Sequence, residues 1–165
     1  MNSENKINAH GEVRFMLETT QKYNIKQEDY IVLSLHDNAW KKVLSGEKKY
    51  EFRRRFRRKN TFAFVYVTTP VKAIKGAMLL GEPIPGTARY IADIAEKAIP
   101  GNGQSVFDYF EEKDFGLAIP IIKVIETPKI SLDYLREKYN FVAPQFYLKL
   151  DGNKPLYENL TLCIK

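Results

Sequence analysis

The chain has 165 residues, of which 44% are hydrophobic and 28% charged, with one cysteine and two histidines. That is the size of one domain whose core needs no staple, and it excludes a disulfide framework within the chain and a dedicated Cys/His zinc site. The formal net charge is +6, no apolar run nears the ~20 residues that span a bilayer, and no secretory pattern opens the sequence, so a cytoplasmic protein without metal, cofactor or membrane contact is expected.

Residues 1–29 read as an extension. Within it Val13, Met16, Leu17 and Thr20 follow helical spacing, which predicts a short amphipathic helix over 12–23. Tyr30–Leu35 is β-branched and apolar, a strand. Asp37 then stands where a helix cap is wanted, Trp40, Val43 and Leu44 follow at helical spacing, and Gly46 is placed for the stop. From Lys49 to Phe56 the aromatics Tyr50, Phe52 and Phe56 alternate with Glu51, Arg53 and Arg55. A period of two predicts a strand with a buried aromatic face and an ionic outer face. It is expected to pair with the next strand, Thr61–Val67. Thr69-Pro70 marks a turn. Ile74–Leu80 continues as a strand that Gly76 interrupts with a bulge.

Pro83 and Pro85 break that run, and Thr87 caps a helix reaching about Ala98. The loop 100–103 leads into a short acidic helix over Ser105–Lys113. Leu117–Ile125 predicts a long strand bent at Pro120. Ser131 caps a helix through Tyr139, Phe146–Leu150 is a last strand, and Pro155 opens a terminal helix facing inward with Leu156, Leu160 and Ile164. Few strands are joined by a helix long enough for a parallel crossover. The class is therefore α+β, a small barrel or strongly bent sheet.

Nucleophilic chemistry finds little to work with. His10 and His36 lie at spacings that suggest no partner, and Cys163 reads as a small packed residue. The glycines of residues 101–107 lack both the lysine of a phosphate loop and the third glycine of a dinucleotide loop. Asp108, Glu111, Glu112 and Asp114 fit a solvated helix face.

The window 41–59 holds ten lysines and arginines against Glu47 and Glu51, a surplus larger than the charge of the whole chain. A basic segment on a near-neutral body is the footprint of a polyanion partner, although lysine and arginine also protect an edge strand from pairing. Edge protection leaves Glu51 unexplained. A carboxylate among cations can hold an arginine fork in place or accept from a base amino group. Arg54, Arg55, Arg57, Arg58 and Lys59 are expected on phosphates, which position a nucleic acid without reading it. Tyr66, Phe146 and Tyr147, with Gln145 just ahead of the last two, are further candidates to face a ligand, against the alternative of core packing for the aromatics.

The run Ser45-Gly46-Glu47-Lys48-Lys49-Tyr50-Glu51-Phe52-Arg53-Arg54, with Pro70-Val71, Ile74 and Gly76 after it and the late APQFYLKL at 143–150, resembles the ASCH domain family of the PUA-like superfamily. The resemblance covers residues 30 to about 150. It implies a five- to six-stranded small β-barrel with flanking short helices over 30–165, and a cleft lined by the strand after Gly46. It also implies binding of RNA or a nucleotide-like anionic ligand, with Lys48, Glu51 and Arg53 at the site. Some members are hydrolases. In those that remove acetyl from N4-acetylcytidine, Lys48 matches a catalytic lysine, Glu51 stands where a threonine serves, and the distant glutamate would come from among Glu96, Glu111, Glu112 and Glu126. Other members are ribonucleases. Three readings follow: an RNA or nucleotide binder, a hydrolase with Lys48 and Glu51 as acid–base pair, and a regulatory module whose arginines meet an acidic protein partner.

Overall fold

The structure is a computed structural model and describes residues 18–164. Of the helix expected over 12–23, residues 18–23 lie within that range, and 18–22 are helical. Residues Tyr30–Leu35 form β1 and Asp37–Leu44 form α1. The sheet then takes β2, Tyr50–Arg53, β3, Thr61–Val67, β4, Ala73–Leu80, and the short β5, Ile84–Gly86. Two helices follow, α2 at Ala88–Ala98 and α3 at Gly103–Phe110. The chain ends with β6 at Gly116–Ser131, α4 at Leu132–Tyr139, β7 at Tyr147–Lys149 and α5 at Lys154–Leu162.

Helix boundaries follow local chemistry. Thr87, Ser131 and Asn153 each accept from a backbone amide three residues on, satisfying donors the helix leaves unpaired. His36, not Asp37, is the cap residue of α1; Asp37 occupies the first turn and pairs with Lys41 at 3.0 Å. Gly46 leaves α1 at φ +78, where a Cβ would be strained.

The strands make one curled seven-stranded sheet, ordered β2-β6-β4-β3-β1-β7, with β5 beside β6. β1 and β3 run parallel with α1 and β2 between them, and the remaining pairs are antiparallel. β6 is long enough to serve three neighbours because its 16 residues bend along the sheet. This is the small-barrel α+β architecture, with flanking short helices.

Alternation along β1 and β3 divides the core. One face, including Val32, Phe62, Phe64 and Tyr66, packs on Leu132, Leu135, Leu156 and Leu160 of α4 and α5. Tyr23 and Ile25 pack on the same cluster. The other face, including Leu33, Ala63 and Val65, packs on Trp40 and Val43 of α1. Gly76 in β4 is required there: a Cβ would sit 2.6 Å from the Trp40 ring and 2.4 Å from the Ile125 carbonyl. The register also shifts between Ile74 and Gly76, the expected bulge.

The segment after Gly46 departs from expectation twice. β2 pairs with β6 and not with β3, so the strands at 50–53 and 61–67 are not neighbours. The orientation is also inverted. Glu51 lies opposite Ile119, which belongs to the Trp40 cluster, whereas Phe52 lies opposite Ala118, beneath α2 and α3. Residues directly opposite share a face of the sheet. Glu51 is thus the buried residue, 4% exposed, while Tyr50 and Phe52 are half-buried against the helices.

Candidate functional site

The turn that Gly46 permits returns the chain on itself, with the Lys48 amide donating to the Lys42 carbonyl at 2.9 Å. Lys48 and Arg53 then close on Glu51 from both sides. Lys48 Nζ is 2.6 Å from Glu51 Oε1, and Arg53 Nε donates to Glu51 Oε2 at 3.0 Å. The three side chains expected to act together do meet. Two cations against one carboxylate leave the cluster a net positive charge, with both cations only partly exposed.

Arg53 also reaches the Ser34 carbonyl, 3.5 Å from Nη2. Ser34 in turn holds the segment before β7, donating from its hydroxyl to Pro144 O at 2.6 Å and from its amide to Phe146 O at 3.3 Å. Gln145 and Phe146 are exposed on that segment. Tyr147 is half-buried, its ring 5.2 Å from Phe56 and edge-on to it. Tyr66 takes no part: it is 4% exposed, packs on Phe141, and burial pushes its phenol pKa up. A ring so enclosed offers no face to a base.

Beyond Arg53 the arginines separate into two roles. Arg54, Arg55 and Arg58 join Lys113, Phe56 and Phe115 around a cleft of about 640 Å³ whose lining, among the described residues, holds no carboxylate. Arg54 is fixed there, donating to Tyr109 O at 2.8 Å with its guanidinium 4.3 Å over the Tyr109 ring. Arg58 stands 5.7 Å over Phe115. Arg57 instead turns inward, 2.6 Å from Asp29 and 2.7 Å from the Thr61 hydroxyl. Burial acts to raise the Asp29 pKa, but the Lys26 amide and Arg57 outweigh it and hold the carboxyl below its ordinary value. Lys59 lies in a separate hollow beside Asn24, Asp29 and Glu82. Lys113, Tyr109 and Phe115 escape a sequence reading because they sit more than fifty residues away, in a stretch dominated by acids.

Across β2 from Glu51 is a second cleft of about 550 Å³, lined by Tyr50 and Phe52 together with Lys48 and Lys49. Among the described residues no group of three His, Cys, Asp or Glu side chains could hold a metal ion, and no helix is long and apolar enough to cross a membrane.

The fold is similar to solved structures of ASCH from Zymomonas mobilis. The unaltered protein aligns with a TM-score of 0.71 at 27% identity, over 84% of this chain and 97% of that one. A tyrosine-to-phenylalanine variant of it aligns with a TM-score of 0.71 at 26% identity, over 83% of this chain and 99% of that one. No family model and no curated protein matches the sequence. The chain has the ASCH domain fold.

Proposed function

We propose that the protein binds single-stranded RNA. Backbone phosphates lie along Arg54, Arg55, Arg58 and Lys113, and an unpaired base edge meets Lys48, Glu51 and Arg53. The observation that carries this reading is the cleft lined, among the described residues, by four cations and no carboxylate. Such a surface is costly to leave unscreened and suits a polyanion. Arg54 is already immobilised by Tyr109, so less side-chain entropy is lost when a phosphate arrives. Phe115 adds an apolar ring against which a base can rest. Arg57 is left out of the phosphate set because Asp29 and Thr61 occupy its guanidinium.

Salt dependence tests the reading. RNA affinity should fall with log salt at about 0.7 per phosphate contact. Replacing Arg54, Arg55 and Arg58 together by alanine should flatten the slope by roughly two units. Binding that ignores salt, or a slope unchanged in the triple variant, would overturn it.

A second reading rests on the close contact of Lys48 with the buried Glu51. A carboxylate and an ammonium so placed are chemically adequate for acid–base work on a modified nucleoside. Turnover of N4-acetylcytidine by the unaltered chain, lost in Glu51→Gln, would favour this reading over binding alone.

A further inference from the structure

The cleft across β2 shares no lining residue with the arginine cleft, and it has a different chemistry. Its floor is aromatic: Tyr50 and Phe52, with ring centroids 6.1 Å apart and planes inclined at 30°. Beside them the lining is aliphatic, the end of α2 at Ala95, Ala98 and Ile99. The rim is polar. Asn38 and Lys42 of α1 stand on one side, and Asn102, just ahead of α3, on the other. Asn38 and Lys42 are exposed, and among the described residues Lys42 forms no ion pair. Lys49 completes the cationic side; Lys48 also lines the cleft, with its ammonium held by Glu51, and Glu47 is the one acid among the described residues of the lining.

We infer that this cleft takes a nucleoside 5′-monophosphate. The base lies on the sides of Tyr50 and Phe52 left open to the cleft, next to the end of α2, and its polar edge meets the amides of Asn38 and Asn102, each able to donate and accept. The phosphate sits on Lys42 and Lys49, compact point charges suited to a small dianion. The volume lies within the range of small-molecule sites. A simple anion would leave the aromatic floor and aliphatic wall wet. A purely apolar ligand would leave the lysines without a partner. A ligand that is flat at one end and doubly charged at the other satisfies both. The same chemistry is offered by a free nucleotide and by the phosphorylated 5′ end of an RNA strand.

Amide-resolved NMR titration of the full chain tests this. Cytidine or adenosine 5′-monophosphate should give saturable shifts at Asn38, Lys42, Tyr50, Phe52 and Asn102. Lys42→Ala should weaken binding about tenfold, the loss of one charge-assisted contact. The Arg54, Arg55 and Arg58 triple variant should leave the titration unchanged, so failure of the RNA reading and failure of this one are separable. A short 5′-phosphorylated RNA that moves the same resonances assigns the site to strand ends as well; shifts with the mononucleotides alone assign it to free nucleotides. Absence of saturation with every probe would overturn the inference. So would inorganic phosphate that binds as tightly as the nucleotides, since the aromatic floor would then contribute nothing.

Discussion

Phe56 and Tyr147 meet edge to face, 5.2 Å between centroids, and this contact joins the two ends of the sheet path. Phe56 follows β2 and Tyr147 opens β7, the outermost strands in the order. Together with Arg53 on the Ser34 carbonyl, it closes the seam with side chains where the rest of the sheet uses ladder hydrogen bonds. The Lys48–Glu51–Arg53 cluster lies beside that seam, and its geometry depends on how the seam is held.

A double-mutant cycle on Phe56→Ala and Tyr147→Ala measures the contact. The coupling expected for such an aromatic pair is about 0.5–1.5 kcal/mol. Strict additivity in denaturant unfolding would mean that the rings are neighbours without being a clasp.

Glu51→Gln keeps the shape of the side chain and removes its charge. Both Lys48 and Arg53 then lose the carboxylate that draws them together, and unfolding free energy should fall by about 1–3 kcal/mol. Urea midpoints of the two forms give the answer. Equal midpoints would show that the cluster contributes no net stability, as some enclosed ion pairs do not.

Gly76→Ala should cost about 1–3 kcal/mol or more through overpacking. The added methyl meets the Trp40 ring and the Ile125 carbonyl, and neither can retreat without moving α1 or the β4–β6 ladder. Trp40 is the single tryptophan, so near-ultraviolet circular dichroism reports its displacement directly. An unchanged spectrum with unchanged stability would contradict the close approach.

The Asp29–Arg57 pair gives a dependence on pH. The folded-state pKa of Asp29 is depressed from 3.8, so the unfolded chain binds a proton more readily. The resulting stability is fully present well above that value and is lost as pH falls from it through the lower folded value. Asp29→Asn should reduce stability at neutral pH and flatten the decline below about pH 4. A decline identical in both proteins would assign the acid sensitivity to other carboxylates.

Much of the fold was legible because its signals are local. The stop at Gly46, the caps at Thr87 and Ser131, and the strands at 30–35 and 61–67 each follow from a few adjacent residues. The partner of β2 was not legible, since pairing with a strand some seventy residues later leaves no mark in the segment 50–53. Nor was the direction of its alternation. A carboxylate flanked by two cations can be buried while its aromatic neighbours go under helices elsewhere, and a period of two says only that the faces differ. The arginines were equally opaque. Arg57 and Arg58 are adjacent and chemically identical, yet Arg57 is turned to Asp29, 28 residues upstream, while Arg58 lines the open cleft. The grouping of Lys48, Glu51 and Arg53 was legible, because all three sit within one short turn and strand.

The order of the sheet also bears on how the chain survives its own synthesis. β1 is an apolar strand with β3 on one side and β7 on the other, and β7 begins at Tyr147, more than a hundred residues after β1 ends. Until that late segment emerges, the outer ladder of YIVLSL has no partner. An uncovered, uncharged, β-branched strand is a template for association with other chains. Products ending before Tyr147 should therefore aggregate, even though they carry the whole of the basic segment and both clefts.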